Sequence, residues 1–159
     1  MIFISPTDGK LTLNQVYASI MDNVNNNPQA KYKLIIGTDS QASNENILYI
    51  TAIVFYQIGK GGRYFYNKDK QKNNINFKTR IFNEVSKSLE LASQLTIQLI
   101  EKENFCNNID VQIHIDVGEK GATNSIIKEV VGMVIGSGYE AKIKPDSYAA
   151  SSVADKHTK

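Results

Sequence analysis

Residues 34–41 read LIIGTDSQ, and residues 111–118 read VQIHIDVG. Each stretch opens as an apolar run and ends on an aspartate, Asp39 in the first and Asp116 in the second. Runs of β-branched residues bounded by Gly, Thr or Asp have the composition of buried strands. One chain therefore delivers a carboxylate at the end of two separate strands. An Asp at a strand end serves most often as a turn residue or a helix cap. Two of them at the ends of neighbouring strands would be a different matter.

Working outward, Val16, Tyr17, Ile20, Met21 and Val24 fall at helical spacing within residues 12–24, with Thr12 placed as N-cap. Asn25 to Pro28 ends this helix. A first strand then runs from Lys31 to Asp39, and a second, rich in β-branched and aromatic residues, from Ile47 to Ile58. Gly59, Gly61 and Gly62 mark a hairpin turn into a third strand, Arg63 to Asn67, and the polar KDKQKNNIN reads as loop. Residues 78–103 carry Ile81, Phe82, Val85, Leu89, Ala92, Leu95 and Leu99 on one face of a long helix. A fourth strand, Val111 to Asp116, leads through GEKGAT into a helix over Asn124 to Ile135, ended by Gly136 and Gly138. A short fifth strand (139–144) precedes Pro145 and Asp146, which open a last helix.

Three hairpin-linked strands followed by alternating helices and strands predict an α/β fold. Its sheet is mixed and five-stranded, an antiparallel meander and then parallel strands, with helices on both faces. Ligands in such sheets gather at the carboxyl ends of parallel strands, where Asp39 and Asp116 both lie.

The 159 residues suit a single domain, with an additional N-terminal helix at 12–24. At 42% hydrophobic and 21% charged, the composition is that of a soluble globular protein. Cys106 is the single cysteine, so no internal disulfide forms. No apolar run is long enough for a secretory signal or a membrane span, and a cytoplasmic location is expected. A net charge of +2 does not by itself argue for a nucleic-acid partner.

Two aspartates placed close together repel, so either one is protonated or a cation sits between them. Hard divalent ions take oxygen ligands, commonly one or two carboxylates plus substrate phosphate. The pattern therefore points to metal-assisted phosphoryl chemistry. A helical wheel supplies two further carboxylates. Glu84 flanks the apolar stripe of the long helix, whereas Glu90 and Glu101 point farther out. In the last helix Asp146 shares a face with Ala149, Ala150, Val153, Ala154 and His157, and Asp155 projects to the opposite side. Plainer readings stand beside these: Glu84 as a solvated helix residue, Asp146 as a cap, His114 as a strand residue of the pleat. Ser40, Ser147 and Ser151 have no His and Asp in an order that makes a nucleophile, and Cys106 lacks an activating base nearby in sequence.

The stretch GGRYFYNKDKQKNN mixes Arg63, Lys68, Lys70 and Lys72 with Tyr64, Phe65 and Tyr66. Such interleaving can hold a phosphate backbone and stack bases, though an exposed hairpin has the same composition. Lys142, Lys144, Lys156 and Lys159 add positive charge around the last helix.

The segments IGTDSQ (36–41), HIDVG with GATNS (114–125) and KIKPDSYAASSVADKHTK (142–159) resemble the bacterial YkuK-type family of ribonuclease-H-like proteins, from about Lys31 onward. The resemblance implies a nuclease that cuts phosphodiester bonds of DNA or RNA with Mg²⁺ or Mn²⁺. It implies catalytic and metal-holding roles for Asp39, Glu84, Asp116 and Asp146, Asp39 bridging the metals. PDSYAASS is similar to the helix start of RuvC-like resolvases, which favours Asp146 over Asp155. The N-terminal helix falls outside the common core and is read as covering a sheet edge or as a contact in a homodimer. A non-catalytic nucleic-acid-binding or scaffold protein that kept the fold is the alternative. A phosphotransfer protein of the actin-like ATPase type, suggested by Asp116-Val117-Gly118, would need two such domains.

Overall fold

The computed structural model describes residues 1–101, 108–119 and 124–147, the side chains of 100 and 101 excepted. A short hairpin comes first, β1 (Ile2–Ser5) and β2 (Gly9–Thr12). Its turn is closed by the Ser5 hydroxyl, which accepts from the N–H of Thr7 and Asp8, and by Gly9 at φ 76°. The positive φ explains the glycine. Helix α1 (Leu13–Asn26) starts at a capping box. The Thr12 hydroxyl accepts from the Gln15 N–H, and the Gln15 side chain accepts from the Thr12 N–H at 2.8 Å.

Strands β3 (Tyr32–Ala42), β4 (Asn46–Gln57) and β5 (Gly62–Lys72) form the expected antiparallel meander. Gly62 is obligatory at its turn, since a Cβ there would overlap the Tyr56 Cβ and the Phe55 carbonyl oxygen. Helix α2 (Phe77–Glu101) is capped by Asn76, whose side chain accepts from the Thr79 N–H at 2.8 Å. Strand β6 (Ile109–His114) pairs parallel to β3. A 3₁₀ turn (Asn124–Ile126) and α3 (Ile127–Gly136) follow. Gly138, at φ 91°, ends α3 in a Schellman turn: Tyr139 N–H bonds the Val134 carbonyl and Gly138 N–H that of Ile135. Strand β7 (Glu140–Lys142) pairs parallel to β6.

The sheet order is β2-β1-β5-β4-β3-β6-β7. Among the described residues it contains seven strands where the sequence suggested five. The two additional strands are the N-terminal hairpin, added beside β5 through the pair Ile4 and Tyr66. Four-residue strands are too short for alternation to reveal them. Strand β5 also runs on through Lys68 to Lys72, read from composition as loop. Backbone pairing with Asn46 to Ile50 of β4 holds that segment, and Lys87 of α2 holds Asp69 at 2.6 Å.

Alternation divides the sheet cleanly. Phe3, Leu34, Ile36, Ile53, Phe55, Phe65 and Ile113 face one side, where α1, α2 and α3 complete the main core. Ile35, Ala52 and Ile50 face the other side. All three described helices therefore lie on one face. Helices were expected on both, and the fourth, from Asp146 onward, lies mostly outside the described residues. No described helix is long and apolar enough to cross a membrane.

Candidate active site

Strands β3 and β6 fix the level of the two aspartates. Gly37 and His114 are the last registered pair, and Asp39 and Asp116 each follow two residues further along their chains. Asp39 leaves the sheet on the face opposite α2, because Thr38 and Ser40 point the other way, and Asp116 lies between Ile115 and Val117, which both join the main core. The Thr38 hydroxyl lies 2.8 Å from that of Ser88 on α2 and 3.1 Å from that of Thr51 on β4. Ser40 donates from its hydroxyl to Glu84 Oε2 at 2.5 Å. Its backbone N–H donates to Asp39 Oδ1 at 2.9 Å. One serine thus ties together a carboxylate on each side of the sheet.

Glu84 is not a solvated helix residue. It is 4% exposed. It lines a narrow gap between α2 and the strands with Thr38, Ser88, Ile113 and Ile115. Burial pushes its carboxyl up to about 8, and the charges of Asp39 and Asp116 push in the same direction. The Ser40 hydrogen bond and, more weakly, Arg80 pull against that rise. The three carboxylates that sequence singled out on β3, α2 and the end of β6 therefore share one electrostatic site.

A lysine completes it. Lys144 Nζ sits 3.0 Å from Asp116 Oδ1. Its hydrogen bond to Asp116 raises the ammonium above its ordinary range, and the charges of Asp116, Asp39 and Glu84 add to this. The Lys144 backbone is held by its N–H to the Val117 carbonyl at 2.9 Å. Sequence analysis noticed the charge of Lys144 but had no signal for its place, because the contact joins the chain beyond β7 to the end of β6.

Asp146 closes a turn, its N–H bonded to the Ile143 carbonyl at 2.8 Å, and its side chain is exposed. Its charge acts on His114 and Lys142. His114 is buried, with Nε2 3.3 Å from Gln112 Oε1, and among the described residues Nδ1 has no hydrogen-bond partner. Burial, followed by the charges of Lys142 and Lys33, lowers it to about 4. Asp155, His157 and Cys106 lie outside the described residues. In the basic-aromatic stretch, Phe65 is fully buried and Tyr66 is 7% exposed. Those rings belong to the core, and Arg63, Lys68, Lys70 and Lys72 are exposed.

The donor chemistry fits a hard divalent cation: the carboxylates and the Ser40 hydroxyl are all oxygen ligands. Among the described residues, however, no three His, Cys, Asp or Glu side chains converge closely enough to form a closed metal cage.

A family model described as "Ribonuclease H-like" matches residues 15–159. The chain belongs to the ribonuclease H-like family. It is 30% identical to "Uncharacterized protein YkuK" of Bacillus subtilis (strain 168), an alignment that takes in 99% of this chain and 97% of the relative. The family match starts inside α1, which the sequence reading had left outside the common core.

Proposed function

We propose that the protein is a metal-dependent nuclease that hydrolyses phosphodiester bonds of DNA or RNA at the site formed by Asp39, Glu84, Asp116 and Asp146. The observation that carries the reading is Glu84. An acid buried beside two other carboxylates is destabilised when ionised, and a cation among them relieves that repulsion. Family membership supports the same reading.

The residues divide the work. Asp39, set in β3 and bonded to the Ser40 N–H, would hold the cation. Glu84 and Asp116 would supply further oxygens, and Asp146, exposed in the turn after β7, would add a fourth carboxylate. Ser40 positions Glu84. Lys144 balances the negative charge at Asp116 and offers an ammonium to a substrate phosphate. A bound Mg²⁺ or Mn²⁺ would supply Lewis-acid stabilisation of the phosphate and a water activated at neutral pH.

The test is calorimetric titration of Mn²⁺ into the wild type and Asp39→Asn, followed by a cleavage assay on single-stranded, duplex and hybrid substrates. Saturable binding and cutting in the wild type, both lost in the variant, are expected. Wild-type cutting by Asp39→Asn would refute the site.

A non-catalytic nucleic-acid-binding protein is the second reading. The Lys144–Asp116 ion pair favours it, since an ammonium already neutralises one carboxylate. Nucleic-acid binding in EDTA, with no Mn²⁺ uptake and no cutting, would select it.

A further inference from the structure

We infer that Lys68, Lys70 and Lys72 form a phosphate track for one strand of nucleic acid, on the sheet face that carries Asp39. The inference rests on the nuclease reading for the identity of the polyanion, and on strand register for the track itself.

Asp39 pairs with Ile50 on β4, and Ile50 pairs with Lys68 on β5. Residues directly opposite in a sheet project to the same face. Asp39, Ile50 and Lys68 are therefore one row, with the Cα of Lys68 about 10 Å from that of Asp39 at the usual strand spacing. The next row is Gln41, Leu48 and Lys70, and Lys72 follows opposite Asn46. The lysines project to one face, about 7 Å apart along the strand from its rise per residue. That interval resembles the spacing of successive phosphates along an extended strand.

All three lysines are exposed, and among the described residues none is engaged in an ion pair. The opposite face of the same segment is chemically different. There Asp69 bonds Lys87 and Gln71 bonds Asp69. Beyond the Ile4–Tyr66 pair this part of β5 has, among the described residues, no registered partner on the β1 side, and lysines there also deter edge-to-edge pairing, but that role does not require them to share a face with Asp39. On this face the half-buried Tyr64 ring stacks on the buried Tyr66 at 6.3 Å, and Phe65 turns to the opposite face. The grip of the lysines is on backbone charge and is blind to base sequence.

The test measures fluorescence anisotropy of a labelled single-stranded oligonucleotide in EDTA, over a series of salt concentrations. Removing three phosphate contacts from a single strand lowers the salt slope by about 2 and weakens binding about 100-fold at 0.1 M salt. The triple variant Lys68→Ala/Lys70→Ala/Lys72→Ala should show both changes, and the corresponding Lys→Arg triple should bind as the wild type does. The control Lys31→Ala/Lys60→Ala/Arg63→Ala removes equal charge at the other end of the sheet and should keep the wild-type slope. Unchanged binding by the first triple, an equal loss in the control, or no binding by the wild type would overturn the track. Because EDTA removes divalent ions, a track that passes while Mn²⁺ binding and cutting fail would refute the nuclease reading alone.

Discussion

Neutralising Glu84 should change how stability depends on pH. In Glu84→Gln the amide oxygen can accept the Ser40 hydroxyl as the carboxylate does, and the titrating charge is gone. In the wild type the carboxyl rises from its ordinary 4.5 to about 8. At about 1.4 kcal/mol per pH unit this displacement corresponds to about 5 kcal/mol. The folded protein holds the proton more tightly than the unfolded chain. This contribution is therefore fully present below about pH 4.5 and is lost as pH rises through about 8. His114 works in the opposite sense. With its folded value lowered to about 4, its contribution is complete above the ordinary 6.5 and is lost as pH falls toward 4. Between pH 6.5 and 8 the slope therefore belongs to Glu84, and the wild type should lose about 2 kcal/mol over that window. Urea unfolding at half-unit pH steps in EDTA reads this directly. The expected result is a falling wild-type curve and a flat one for Glu84→Gln. Saturating Mn²⁺ should flatten the wild-type curve as well, since a cation stabilises the ionised acid. Parallel curves for wild type and variant in EDTA would refute both the burial argument and the shared site.

Lys144→Met removes the ammonium that competes for Asp116. Its side chain is 57% exposed, so the screened pair is worth about 1 kcal/mol, and Mn²⁺ affinity by calorimetry should tighten roughly fivefold. Thr38→Val leaves the Thr51 and Ser88 hydroxyls without their shared partner and should cost about 1–3 kcal/mol in urea unfolding. Asp146→Asn should reduce Mn²⁺-dependent cutting more than Asp155→Asn does; the reverse ranking would show that the helical wheel chose the wrong carboxylate.

What the sequence revealed and what it hid follow from the range of the interactions involved. Asp39 and Asp116 were legible because each ends an apolar run, and parallel neighbours bring such ends level without further help. The start of α1 was legible because Thr12 caps it locally. The β1–β2 hairpin escaped notice because four-residue strands carry little periodicity. The far half of β5 escaped because its residues are polar and its pairing partner is β4, some twenty residues away in the chain. Glu84 is instructive in another way. The helical wheel placed it at the margin of the apolar stripe, where a glutamate is ordinarily solvated. Its burial comes from the packing of α2 on β3 and β6, where Thr38, Ile113 and Ile115 enclose it, and Ser40, forty-four residues earlier in sequence, donates to it there.

The arrangement around Ser40 also explains why the site tolerates three acids before any cation arrives. The protein spreads them over three environments. Asp39 is anchored by a backbone N–H. Asp116 is matched by Lys144. Glu84 remains mostly protonated below about pH 8, and its Ser40 bond is retained in either ionisation state by a hydroxyl that can reverse its direction. A divalent cation would have to displace both the Glu84 proton and the Lys144 ammonium, so its binding should release protons and strengthen as pH rises. Proton release is therefore the signature that separates binding in this cluster from loose association with exposed acids. Calorimetry in two buffers of different ionisation enthalpy counts those protons, and a count of zero near pH 7 would place any bound Mn²⁺ away from Glu84.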